Sequence, residues 1–250
     1  MVISRTAAPV MSSVRLLLLS IVGWEIVQGL RDVGPATTGS WPANPFDLLL
    51  LFVMPGLTTF AFTRLFIAVI QAGRGSLNTY TLTSHPWAGV FWLGLAVAMV
   101  GQGAHVAANT LNNAVPQVVR FGEYGVMAEF WDEQLGHWLL GTGFFLMTLA
   151  VMVLGQGAAQ RVVGGERALL ALGSFATYGV TVLFIGVEGQ QVVPAILGSF
   201  ALTGLGLWAL PPYELGRDPV SLLVIPGVAA AGVVLLIWGV LVGGQPTWPW

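Results

Sequence analysis

Apolar runs of membrane-spanning length recur along this chain and leave little of it for anything else. A helix that crosses the hydrocarbon core of a bilayer needs about 20 consecutive, mostly apolar residues. By that rule the sequence predicts spans near 14–30, 47–72, 87–111, 128–155, 167–188, 193–210 and 219–243. Charged residues make up only 8% of the chain, against roughly 25% in an ordinary soluble domain, so most of the surface must be solvated by lipid. The expected fold is an all-α integral membrane protein. It is one polytopic domain over residues 1–250, with about seven transmembrane helices in a single bundle. Glu25 and Gln28 weaken the first span and the sixth is short, so six spans is the alternative count.

The N-terminus has the outline of a secretory signal, with Arg5 and Arg15 ahead of the apolar run from Leu16 to Trp24. No small-x-small cleavage site follows, and the helical pattern continues through Glu25, so the segment reads as a retained first span. Orientation comes from the basic residues. Arg5, Arg15, Arg74, Arg161, Arg167 and Arg217 fall on one side, with Arg64 near it, and only Arg31 and Arg120 on the other. This predicts a cytoplasmic N-terminus and an extracytoplasmic C-terminus. Glu25, Asp32, Asp47, Glu123, Glu129, Asp132, Glu133 and Glu188 collect at the outer end. The expected location is a multi-pass protein of a prokaryotic plasma membrane.

Absent residues exclude whole classes. All nine basic residues are Arg, so no lysine is present to form a retinal Schiff base. There is no Cys, which removes disulfides, thiol catalysis, Cys-ligated zinc, iron–sulfur clusters and covalently attached haem. Three His are too few for an eight-His membrane hydroxylase or desaturase. Nothing points to nucleic acid.

The remaining polar residues fall into a pattern. On the third span Gln102, His105, Asn109 and Asn112 are spaced i, i+3, i+7, i+10 and share a helical face. Such a stripe on an apolar span should face the bundle interior. On the fourth span Glu129, Glu133 and His137 are spaced i, i+4, i+8. Antiparallel neighbours would bring His105 and His137 to one depth. Glu25, with Gln28 one turn on, and Glu188, with Gln190 and Gln191 after it, reach the same level from the first and fifth spans. Glu129 and Asp132 read as solvated acids at a helix start, at the positive end of its dipole. His85, ahead of Pro86, reads as a cap or surface residue on the opposite side.

An unpaired charge at the bilayer centre costs about 2.5–3.5 kcal/mol on insertion scales, so these groups must border water, pair with one another or bind a cation. Two His and a carboxylate are common ingredients of a zinc or iron site. The sequence therefore predicts a divalent metal held by His105, Glu133 and His137, with Glu188 or Glu25 as general base. Asn109 and Gln102 would orient a ligand or water. The function expected is a metal-dependent membrane enzyme, most simply a hydrolase of a lipid or amphiphile. Membrane lipids are the expected partners; oligomeric state is open. The alternatives are a cation- or proton-coupled transporter, a haem b protein ligated by His105 and His137, and an accessory or structural subunit.

Overall fold

The structure is a computed structural model that describes residues 7–33, 45–74, 85–114, 122–155, 162–187, 189–209 and 216–243. These residues form seven helices and no strand. They are α1 (Ala7–Val33), α2 (45–74), α3 (Pro86–Ala114), α4 (Glu123–Gly155), α5 (Gly165–Val187), α6 (Val192–Ala209) and α7 (Pro219–Leu241). Six are long and apolar enough to cross a membrane. α6, with 18 residues, measures about 27 Å, slightly under the roughly 30 Å of a hydrocarbon core. It nevertheless runs the length of α7, with Val192 beside Gly239, Ser199 beside Gly232 and Gly206 beside Ile225. Both counts expected from the sequence thus have a physical basis: seven apolar helices, one of them slightly short.

Successive helices alternate in direction. In α3 and α4, Gly94 lies against Met147 and Gly101 against Gly136, an antiparallel crossing at backbone distance. A Cβ at Gly101 would stand 2.7 Å from the Gly136 carbonyl oxygen, so this interface depends on small residues, as helix pairs in lipid commonly do. α1 and α5 run parallel, Leu18 meeting Gly173 and Glu25 meeting Thr181. α5 and α7 are parallel as well, and Gly227 of α7 lies directly on Ser174.

Two prolines shape these helices. Pro226 interrupts α7. There Ser174 Oγ donates to the Val224 carbonyl at 3.2 Å and accepts from the Gly227 N–H at 2.7 Å, so a neighbouring helix satisfies the disturbed backbone. Pro55 follows a π turn at Leu49–Val53 in α2. Similar π turns occur at Phe130–Gly136 in α4 and Phe175–Gly179 in α5.

The main hydrophobic core lies in one half of the bundle. It is built from the first half of α1 (Val14, Leu17), the second half of α2 (Leu65, Phe66), the start of α3 (Phe91) and the start of α7 (Leu223), all essentially solvent-inaccessible. Phe66 and Phe91 stack at 4.2 Å. At this end Arg15 pairs with Glu166, and the Val162 N–H donates to the Arg217 carbonyl. His85 is here too, its Nδ1 accepting from the Trp87 N–H at 3.3 Å at the start of α3, as the helix-start reading predicts. The other half of the bundle holds Glu25, Asp132, Glu133, two of the three His and the cavities.

Candidate functional site

The site end is organised by backbone that departs from α-helix. In α2 the Met54 N–H donates to the Leu49 carbonyl, five residues back. The next donor along would be residue 55, and proline has none. Gln102 of α3 reaches across and donates from Nε2 to the Leu50 carbonyl at 3.2 Å. Gln102 is 4% exposed, so a buried amide and a backbone acceptor left over by Pro55 satisfy one another.

The π turn of α4 has a larger effect. It winds more residues into each turn, so the faces counted on a regular helix shift through it. Asp132, expected as a solvated acid at a helix start, is 7% exposed, and its Oδ1 lies 2.5 Å from His105 Nδ1. The physical reason is twofold: α4 begins several residues earlier, at Glu123, and the π turn rotates Asp132 toward α3. Glu133 lies beside its own helix neighbour, Oε2 3.6 Å from His137 Nδ1. The same Nδ1 lies 3.0 Å from the Glu133 carbonyl oxygen.

His105 and His137 do meet, as their depth on antiparallel helices predicts. Their rings stand edge to face with centroids 4.7 Å apart, which leaves no room for a macrocycle between them. The turn after α5 closes over His137. A Cβ on Gly189 would stand 2.7 Å from the His137 Cβ, and Gln191 donates from Nε2 to the Gln134 carbonyl at 3.5 Å. Gln190 adopts a φ of 53° to make the turn, a conformation uncommon outside glycine.

A cavity of about 120 Å³ opens between α1, α2, α3, α4 and α5. Glu25, Gln28, Gln102, His105, His137 and Thr181 supply most of its polar lining, and Trp24, Phe62, Phe144 and Met147 part of its apolar lining. Glu25 accepts a hydrogen bond from Thr181 Oγ1 at 3.0 Å. Thr58 Oγ1, also at the cavity, is buried without a hydrogen-bond partner among the described residues. Toward the arginine end the apolar core closes the space.

Of the residues singled out from the sequence, Glu25, Gln102, His105 and His137 therefore line one cavity, while Glu133 sits behind His137. Glu188 and the side chain of Asn109 lie outside the described residues. Among the described residues no group of three or more His, Asp or Glu side chains is placed to hold a metal ion. Sequence reasoning missed the pairing role of Asp132, and it missed Thr58 and Thr181; the irregular α2 was legible, since Pro55-Gly56 in the sequence predicts a kinked second span.

Fold and site together define a class: a helical, multi-pass membrane protein with a cavity, polar at one side, in one half of its bundle. Comparison with known protein families, with curated proteins and with solved structures finds no match to this chain.

Proposed function

We propose that the chain is a membrane-embedded hydrolase acting on a lipid or amphiphile in the α1–α5 cavity, with His105 as its general base. The observation that supports this reading is the His105–Asp132 contact at the cavity wall. A carboxylate beside Nδ1 would favour the tautomer protonated there and leave Nε2 as the nitrogen that exchanges protons, the logic of His–Asp pairs in hydrolases. Water gives its proton to His105 Nε2 as its oxygen adds to an ester or amide carbonyl carbon; the imidazolium then protonates the leaving group. Thr58 and Gln28, which line the same cavity, would supply donors to the substrate's polar end. The apolar plug at the arginine end favours a site over a transport pathway.

The metal-dependent form keeps His105 and His137 as donors through Nε2, since both Nδ1 atoms face protein oxygens, and a carboxylate or carbonyl behind a ligating His is the usual support. Glu133 would have to swing from the Nδ1 edge of His137 to join them. On the arginine distribution the site end faces outward, with the N-terminus cytoplasmic.

The test is turnover of neutral ester and amide lipids by purified protein in liposomes, read by mass spectrometry. Release of fatty acid or base that disappears in His105→Ala is expected. No turnover of any lipid class, or turnover indifferent to His105→Ala, would sink the reading.

A further inference from the structure

The site cavity has a neighbour on the far side of α4. A second cavity of about 210 Å³ lies among α4, α5, α6 and α7. His137, Phe144 and Ile185 line both spaces, so one imidazole of the site stands on the partition between them.

The two cavities differ in chemistry. The second is walled by apolar side chains and opened by missing ones, at Gly141 and Gly198. Two of its few polar groups are already engaged: Ser199 Oγ donates to the Ala195 carbonyl at 2.6 Å and Gln191 Nε2 to the Gln134 carbonyl at 3.5 Å. Water there would find few partners, and a space of that kind takes apolar matter instead. Leu202 and Val228 bound it toward the arginine end. The stretch of α6 from Pro194 to Leu202 measures about 12 Å along its axis, the reach of a medium-length alkyl chain and not of a full phospholipid tail.

We infer that the second cavity is the acyl-chain arm of the site: it takes the apolar tail of a single-chain amphiphile, and His137 marks where tail and polar end join. Only the placement of the polar end, beside His105 and Glu25, rests on the hydrolase reading. The tail arm follows from the shared partition, the apolar walls and the bounded length.

The experiment uses a monoacylglycerol carrying a diazirine at the end of a medium-length chain, photolysed with the purified protein in nanodiscs and mapped by peptide mass spectrometry. Unlabelled monoacylglycerols of graded chain length serve as competitors. Label is expected on 138–145 of α4 and 195–202 of α6, and competition should strengthen with chain length up to a medium chain and then level off. Gly198→Leu should weaken medium-chain competitors roughly tenfold and leave short ones unchanged. Gly198→Ala, whose Cβ would stand 3.7 Å from Phe145, fits without strain and should shift the profile less; it serves if the leucine variant does not fold. Label confined to lipid-facing residues, or a chain-length profile unmoved by either variant, overturns the inference. Asp132→Asn separates the two claims. In that variant label should persist while turnover falls; in the wild type, label without turnover of any lipid sinks the hydrolase alone, and turnover without label in the cavity sinks the tail arm alone.

Discussion

His105 and Asp132 face each other across the α3–α4 interface with Nδ1 and Oδ1 2.5 Å apart. Two features on different links of the chain from sequence to site produce this contact. Glycines at 94, 101, 136 and 143 let the backbones of α3 and α4 approach until Gly136 touches His105. The π turn of α4 then rotates a carboxylate into the gap. Close packing sets the distance, and an irregular turn selects which acid fills it.

Asp132→Asn keeps the shape of that contact and removes its charge. If His105 is a base oriented by Asp132, turnover should fall by about 10²–10⁴-fold, the range general-base catalysis supplies. Binding of the substrate and the melting temperature should change little. Initial rates in liposomes beside a thermal melt check this. A rate within a few-fold of the wild type would show that the pair is a structural bond between helices.

Gln102 and Pro55 should be coupled energetically. Gln102→Leu strands the buried Leu50 carbonyl, at a cost of about 1–3 kcal/mol. Pro55→Ala gives α2 back the N–H that its π turn lacks at that position. The double variant should then lose less stability than Gln102→Leu alone, a non-additivity a double-mutant cycle reads directly. Denaturation midpoints in mild detergent are the measurement, and strict additivity would mean that Gln102 does not compensate for the proline.

Gly189 carries a packing constraint on the site itself. A methyl group there meets His137 and the Ile185 carbonyl oxygen, each at 2.7 Å. Gly189→Ala should therefore cost about 1–3 kcal/mol, typical of overpacking, and displace the His137 ring. Its turnover should drop more than that of Gly204→Ala, a position where an added Cβ meets nothing within 4 Å. Comparing the two variants by melt and by rate tests the claim, and equal behaviour would contradict it.

Helix positions were legible in the sequence to within a few residues, except that α1 and α4 begin earlier than expected, because a lipid-facing helix must be apolar for most of its length. The meeting of His105 with His137 was legible for a related reason: antiparallel neighbours of known start fix relative depth. The partner of His105 was not. Face counting assumes a regular 3.6-residue turn, and the π turn at Phe130–Gly136 breaks that assumption at the residues concerned. Thr181 was hidden differently, since a hydroxyl inside an apolar helix has no pattern of its own until Glu25 of α1 is placed beside it.

Whether a metal takes part turns on Glu133. The sequence spacing predicts His105, Glu133 and His137 around one ion, and a structural or catalytic zinc needs three or four donors. In the structure Glu133 Oε2 lies on the Nδ1 side of His137, and that nitrogen also meets the Glu133 carbonyl oxygen. A metal on Nε2 of both rings would leave Glu133 in a supporting position. Glu133→Gln should then weaken metal retention modestly, about 10–100-fold as supporting residues do, whereas His137→Ala should abolish it. A metal-free general base predicts something else: no stoichiometric zinc or iron in purified protein, and turnover unchanged by chelation. Elemental analysis of wild type, Glu133→Gln and His137→Ala, with rates before and after chelator, separates the two. Stoichiometric metal lost equally in both variants would restore Glu133 as a direct ligand and require its side chain to leave the position seen here.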